Sequence, residues 1–448
     1  MKLSPRGLEL LKNINWEKFS ELKNRILSDS LSKGIFIIAS GSVIGQLIGI
    51  ITAPIITRLY SPADFGALGL FSSILAILAI AGGFRYDIAL PLAKNDEDAA
   101  NLFIFFLLLL SVTTICLSLI IFLFGDNLLS FFHIESLKPY GILLLIGFFG
   151  ISFYGGLTSW VSRRRDYTRI THTRIYQSIG GSGSKIILGF FSTGPLGLLI
   201  GTLLSQVMGI GTLVRYMWEN DRAYFTTLSF SRMAENARRY IQFPLFSFPA
   251  AVINALALQL PVFMLTAIYG LQIVGMYSLA YSLLIVSSSL ISSAMAQVFY
   301  AEVSNMMREN SNKIKELYVA TTRKLLVLGL PLIGIPCLLA PFLFPLIFGE
   351  VWKEAGIYCL PLSLMALSNF VISPTSMLGG YGFNHWTLLF DISRTALVFI
   401  CFYLVQLFSL PVLSALFFYS LVMTFMYGVL YVLNVQAIDR LVQKGSHY

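Results

Sequence analysis

The sequence predicts an all-α integral membrane protein with about twelve transmembrane helices in two six-helix lobes, related by a pseudo-two-fold axis along the membrane normal. Three observations carry that prediction. Of the 448 residues, 56% are hydrophobic and only 12% charged, with a mean hydropathy of +0.77, far from the composition of a water-soluble domain. The apolar residues come in continuous runs of roughly 20, the length a helix needs to cross about 30 Å of hydrocarbon, and not in the short alternating segments of a barrel. The chain also resembles itself at a nearly constant offset, the mark of an internal repeat.

Breaks rich in charge, Pro or Gly delimit spans at 34–57, 66–90, 99–124, 138–160, 173–192, 195–216, 241–268, 273–299, 321–347, 354–378, 386–408 and 411–436. The expected organisation is a basic segment (1–33), an N-lobe of six spans (34–216), an inter-lobe linker (217–240), a C-lobe of six spans (241–436) and a tail (437–448). Orientation follows from the basic residues. Of 31 Lys and Arg, 25 lie in or beside the loops on the side of the two termini; three (Arg58, Lys138, Lys353) lie on the opposite side and three (Arg85, Lys185, Arg394) within spans. The positive-inside rule makes the side of the termini cytoplasmic and accounts for the net charge of +9 without a nucleic-acid partner. Within the basic segment, Leu8, Leu11, Phe19, Leu22 and Ile26 recur at helical spacing among Lys12, Lys18, Lys23 and Arg25. They read as an amphipathic helix on the inner leaflet, and the stretch is too long and polar for a removable signal peptide.

The repeat is carried by loops as well as by apolar runs. "LYSPADFGALGLFSSIL" parallels "IYGLQIVGMYSLAYSLL", aligning Tyr60 and Gly66 with Tyr269 and Gly275. Further on, "FFHIESLKPYG" parallels "IFGEVWKEAG", and Thr158-Ser159 parallels Thr375-Ser376. Six spans per repeat is an even number, so both halves enter the membrane from the same side, the plan of an alternating-access transporter with its site between the halves.

A charge buried in such a molecule marks a pathway. Arg85, in "GGFRYDIALPL", either snorkels to the inner interface or faces the inner mouth of a central cavity, where its fork of donors suits a phosphate. Asp87 is two residues on and off that helix face. Lys185, after "GGSGS", counts to near mid-membrane, where a lone ammonium costs about 2.5–3.5 kcal/mol without a partner or a wet cavity. Asp391 and Arg394 are three apart on one face, placed to neutralise each other. Asp391 and Asp87 are also the acids available for coupling to a proton or sodium ion. Arg163, Arg164 and Arg165 open a basic cluster that serves as a topology signal and anionic-lipid contact, with loading of a pyrophosphate headgroup as its further candidate role.

Other classes lack their signatures. Cys116, Cys337, Cys359 and Cys401 fall inside apolar runs without Cys-x-x-Cys spacing, and the four histidines are scattered, so no disulfide framework, metal site or cofactor is expected. The outer loops carry no catalytic constellation, which argues against an enzyme such as a glycan polymerase or ligase. Loop 2–3, "PLAKNDEDAAN", lacks the glycine and basic pattern of a major-facilitator carrier.

"RLYSPADFGALGLF", "FRYDIALPLA" and "LFPLIFGEVWKEAG" together, in that order and spacing, resemble the Wzx-type polysaccharide flippases of the multidrug/oligosaccharidyl-lipid/polysaccharide exporter superfamily. The resemblance implies two lobes around a cationic cavity in the bacterial inner membrane. It also implies movement of an undecaprenyl-pyrophosphate-linked oligosaccharide, for O-antigen, capsule or exopolysaccharide, to the periplasmic leaflet, beside a glycan polymerase and chain-length machinery. On the family's Arg-x-Glu pattern Arg85 stands at the arginine, and Asp87 replaces the glutamate with a shorter reach. Arg85, Lys185 and Arg394 are then the expected substrate-binding cations. A drug/cation antiporter of the same superfamily and a non-catalytic subunit of a glycan-assembly complex are the alternatives.

Overall fold

The computed structural model describes residues 30–131, 135–308 and 313–445, and all regular structure among them is helical. The expected amphipathic helix of the basic segment lies outside the described residues. The helices of the first half are α1 (Ser30–Leu59), α2 (Pro62–Ala81), α3 (Asp96–Phe131), α4 (Gly141–Arg163), α5 (Tyr167–Phe190), α6 (Pro195–Val207) and α7 (Ile210–Asp221). A short α8 (Phe230–Arg239) precedes the second half, α9 (Phe248–Tyr269), α10 (Leu271–Arg308), α11 (Ile314–Phe348), α12 (Lys353–Ile372), α13 (Asn384–Leu407) and α14 (Val412–Gly445). Among the described residues, ten helical segments are long and apolar enough to cross a membrane, and eleven when the two arms of α10, bent by 44°, count as one. Helix α5 is not among them, because Arg169, Arg174, Lys185 and the "GGSGS" stretch dilute its apolar face. It nevertheless packs along α6 and α1, giving the first half a sixth long helical segment.

Local chemistry sets the helix ends. At "YSPAD" the Ser61 side chain accepts from the Asp64 amide at 3.2 Å, and the Asp64 carboxylate accepts from the Ser61 amide at 2.9 Å. This capping box with Pro62 in the first turn starts α2 sharply. The sixth span is broken at Met208-Gly209, where Gly209 has φ 98°, a conformation glycine adopts without strain.

Two large hydrophobic cores follow from these helices, beside a small cluster of Ile56, Tyr60 and Leu198. One joins residues between Ala67 and Tyr240, with Phe71, Phe103, Phe148 and Trp160 at its centre. The other joins residues between Leu265 and Ile438, around Tyr318, Trp352, Phe370 and Phe402. The repeat is visible in matched hydrogen bonds. Tyr60 donates to the Lys185 carbonyl at 2.7 Å, and its counterpart Tyr269 donates to the Leu410 carbonyl at 2.6 Å. In each half, the first helical hairpin is thereby tied to the last.

We call the end of the bundle at Ser30 and Gly445 basal and the opposite end distal. At the basal end α8 docks on the acidic start of α3: Asn236 donates to Asp98 at 3.3 Å, Arg232 pairs with Glu97, and Tyr240 donates to the Leu92 carbonyl at 2.9 Å. The acidic loop 2–3 therefore holds the inter-lobe connection against the first half.

At the distal end the two halves meet backbone to backbone. A Cβ on Gly66 would lie 1.8 Å from the Leu271 carbonyl oxygen, and one on Gly275 would lie 1.7 Å from that of Pro62. These are the two glycines that the repeat aligns. Since backbone cannot move aside as a flexible side chain does, Gly66→Ala or Gly275→Ala should push α2 from α10 and cost about 1–3 kcal/mol, the range for overpacking. The expected result is a fall of several degrees in the apparent melting temperature of the purified protein; no change would show that the crossing has room for a methyl group.

Candidate functional site

Beneath the glycine crossing lies a cavity of about 400 Å³ between the halves, walled by α1, α2, α5, α6 and α10. Gln46, Thr52, Ser72, Ser182, Ser278 and Ser282 bring polar atoms to it, and Lys185 is the one ionisable residue in its wall. The distal roof is sealed by contacts across the halves. Trp352, 1% exposed, donates from Nε1 to the Thr57 carbonyl at 2.9 Å and meets the Phe65 ring edge-on at 4.9 Å. Arg58 donates to the Leu346 carbonyl at 3.3 Å. The two flanks differ. Helices α2 and α9 pack along one flank, with Ser73 donating to Gln259 at 2.8 Å. On the other flank α1 and α10 touch little, joined by Ser289 donating to Gln46 at 3.2 Å.

Lys185 reaches this cavity because small residues surround its helix. Gly181 lies where a Cβ would meet Ser205 at 2.4 Å, and Gly201 leaves room for the lysine stem, since a Cβ there would meet Lys185 Cγ at 2.3 Å. The "GGSGS" stretch thus presses α5 onto α6 and turns the lysine toward the gap between the halves. No acceptor for its ammonium is found among the described residues. Its depth differs from the mid-membrane expectation. Helix α5 begins at Tyr167, and Lys185 stands five residues before its distal end at Phe190, about 7.5 Å by helical rise. The lysine sits under the roof of the cavity.

Arg85 and Asp87 are elsewhere. The predicted span 66–90 ends at Ala81, so both residues lie beyond the helix, in a break followed by the single turn Tyr86–Ala89. Gly82 and Gly83 allow the break to press against its neighbours: a Cβ on Gly82 would meet Ser152 Oγ at 2.1 Å, and one on Gly83 would meet the Phe106 ring at 2.2 Å. Phe84 and Arg85 follow with φ 48° and 66°, the left-handed region that costs a non-glycine residue about 1–2 kcal/mol. Arg85 is half-buried, and its Nε is buried without an acceptor among the described residues. It does not line the central cavity.

The arginine cluster separates into two kinds of residue. Arg163 pairs with Asp96 at 3.0 Å and donates to the Ala93 carbonyl at 2.7 Å. Arg164 pairs with Asp96 at 2.8 Å and with Asp221 at 2.7 Å, stacked over Tyr224 at 5.0 Å. Asp221 in turn accepts from Trp160 Nε1 at 2.9 Å. Burial alone would lower the Arg164 pKa, but Asp96 and Asp221 outweigh it and hold the group above its ordinary value. These two arginines are held in ion pairs at the basal face of the first half. Arg165, at φ 58°, is exposed and makes no ion pair among the described residues.

Asp391 and Arg394 do pair, at 2.9 Å. Arg394 is 7% exposed and also donates to Asn254 at 3.0 Å. It lines a different cavity inside the second half, so the expected cluster of Arg85, Lys185 and Arg394 around one cavity is not formed. Sequence reasoning missed Gln46, Ser278, Ser282 and Trp352. Serines and a glutamine within apolar runs are weak signals, because small hydroxyls also satisfy helix carbonyls; Ser282 itself donates to the Leu279 carbonyl at 2.9 Å. Trp352 stood in a recognised repeat loop, but a tryptophan there reads equally well as an interface anchor.

Comparison with known proteins places this geometry. Residues 55–356 match the model of a family described as polysaccharide biosynthesis protein. The succinoglycan biosynthesis transport protein ExoT of Rhizobium meliloti is 24% identical over 73% of the chain, which spans 63% of that relative's length. Among solved structures, the inward-facing conformation of a multidrug resistance MATE family transporter of the MOP superfamily aligns with a TM-score of 0.69 at 16% identity, covering 88% of this chain and 95% of that one. The outward-facing conformation of such a transporter aligns at 0.59 and 16% identity, covering 92% and 96%. A MOP superfamily transporter from Pyrococcus furiosus aligns at 0.60 and 17% identity, covering 91% and 96%. These likenesses show the fold, with its two lobes.

Two variants separate the roles within the arginine cluster. Arg164→Ala leaves the nearly buried Asp221 without its ion-pair partner and should destabilise the protein by on the order of 2–3 kcal/mol, within the reach of a broken buried pair. Arg165→Ala should leave stability unchanged within about 0.5 kcal/mol, as for an exposed residue. Chemical denaturation of the detergent-solubilised variants reads both.

Proposed function

The chain belongs to the polysaccharide biosynthesis protein family, and from that premise we propose that it is a flippase for a lipid-linked oligosaccharide. On this reading it lies in a bacterial inner membrane with cytoplasmic termini. It carries an undecaprenyl-pyrophosphate-linked unit from the cytoplasmic to the periplasmic leaflet by alternating access. The observation that carries the proposal is the inter-lobe cavity with Lys185 under a sealed distal roof.

The mechanism follows from solvation. Moving a sugar chain and a diphosphate through hydrocarbon without compensation is prohibitive, so the head must travel in a polar, positively charged enclosure while the polyprenyl tail stays in lipid. The cavity supplies hydroxyl and amide groups and one cation under its distal roof. The sparse flank between α1 and α10 provides a lateral way for the tail. With the distal roof closed, the head enters from the basal, cytoplasmic side and its phosphate meets Lys185. Opening the roof requires the Trp352–Thr57 bond and the Arg58–Leu346 bond to break and the glycine crossing to part, after which the head faces the periplasm. Arg85, at the basal break of α2, is proposed to meet the phosphate first, and Arg165 to attract it to the membrane surface. Asp87 is the acid proposed for ion coupling in the first half.

A drug/cation antiporter would need acids in its cavity, and the charge in this wall is a lysine. A purely structural subunit would gain nothing from an ammonium that costs about 2.5–3.5 kcal/mol to bury.

Liposomes loaded with a lipid-linked oligosaccharide test the reading directly. Wild-type protein should expose the glycan to an external probe, Lys185→Ala should slow this at least about tenfold, the equivalent of one lost charge-assisted contact, and Lys185→Arg should retain most of it, all at normal protein abundance. Normal rates in Lys185→Ala would sink the assignment. Trp352→Phe keeps the ring but removes the bond to Thr57, worth about 1 kcal/mol. It should raise the labelling of a cysteine placed at Ser72 by a membrane-impermeant periplasmic reagent.

A further inference from the structure

The cavity that holds Arg394 has no part in the flippase reading. It encloses about 260 Å³ between α9, α10, α12, α13 and α14, entirely within the second half. Its polar wall includes Asn254, Tyr281, Asn369, Ser373, Tyr427 and Arg394. Arg394 is its one formally charged lining residue; Asp391 stands outside the wall and touches the arginine from α13.

The guanidinium is only partly used. Both protein contacts, with Asp391 at 2.9 Å and Asn254 at 3.0 Å, fall on Nη2. The Nε is buried without an acceptor among the described residues. Phe390 packs against the group at 5.5 Å from its ring centroid, which orients the plane of the fork. A side chain 7% exposed, with donors unspent and a cavity before it, is a built receptor for an acceptor group. The Ser373 hydroxyl is already spent on Asn369 Oδ1, and the amide N–H groups of Asn254 and Asn369 and the hydroxyls of Tyr281 and Tyr427 are donors by type that line the same space. A cation in this space would face the arginine, whereas a carboxylate matches its fork.

We propose that the C-lobe cavity is a binding site for one small monovalent oxyanion of the carboxylate class, seated on Arg394 and held by the surrounding amide and hydroxyl donors. The carboxylate has two possible sources, a free acid from the cytoplasm or an acidic sugar of the glycan. The site is independent of Lys185, and only its glycan source rests on the flippase reading.

Calorimetric titration of the purified full-length protein in detergent tests it, with sodium acetate, sodium glucuronate and, as a neutral control, glucose, at constant ionic strength. One equivalent of acetate, glucuronate or both should bind saturably, and glucose should not. Acetate alone identifies a free acid as the ligand; glucuronate binding identifies a sugar carboxylate. Arg394→Ala strands Asp391 and is a poor test, so two near-isosteric changes carry it. The double variant Asp391→Asn/Arg394→Gln removes both charges together. Asn254→Asp keeps the acceptor for Arg394 and adds a negative charge to the wall. Each should weaken carboxylate binding at least about tenfold, as expected for loss of a charge-assisted contact, with an unchanged circular dichroism spectrum, and Lys185→Ala should leave it intact. Absence of saturable binding in the wild type, equal binding of glucose, or full binding by the folded variants overturns the proposal.

Discussion

The architecture depends on one close contact, the crossing of α2 and α10 at Gly66 and Gly275. Between helices in lipid there is no hydrophobic drive to associate, so van der Waals contact and polar bonds must hold them, and both improve as backbones approach. Two glycines, each set against a carbonyl of the other helix, give the nearest approach available. The crossing closes the distal end, and Trp352, Phe65 and Arg58 complete the seal around it. The cavity exists because the helices diverge below that point. Its cation sits where it does because Tyr60, in the same distal turn, holds the Lys185 carbonyl.

The three cations predicted within spans receive three different physical solutions. Lys185 has small residues around its helix and a polar cavity before it. Arg394 is neutralised by Asp391 and an amide, leaving part of its fork unused. Arg85 is placed where the helix has ended, with backbone strain accepted at Phe84 and Arg85 and with Gly82 and Gly83 relieving contacts that any side chain would violate. Strain of this kind persists only when the surroundings enforce it, and it concentrates where a protein does its work.

The basal face explains the remaining charge. Asp96, Glu97 and Asp98 form the first turn of α3. Together they hold Arg163 and Arg164 of the α4–α5 connection and Arg232, Asn236 and Arg239 of the linker. The linker is therefore bound to the first half. After Tyr240 the chain leaves this dock through the π-helical turn Phe243–Ser247, which leads into α9; such turns are weak points in a helical ladder.

Much of this was legible in the sequence because hydrocarbon is an unforgiving solvent. Apolar runs must be helices, basic residues must collect on one side, and a repeat with six spans must place both halves in parallel; the aligned Tyr60/Tyr269 and Gly66/Gly275 pairs even mark the bonds that make the halves alike. Helix periodicity also foretold that Asp391 would neutralise Arg394. What a linear reading does not contain is where a helix stops for lack of room and which lobe a cavity belongs to. The end of α2 at Ala81, the separation of Arg394 from Lys185 and the capture of Arg163 and Arg164 by Asp96 and Asp221 all depend on contacts between residues far apart in the chain. Sequence by itself determined the solvent, the helices and their symmetry; tertiary packing decided which charges face a cavity, because only the approach of distant backbones creates one.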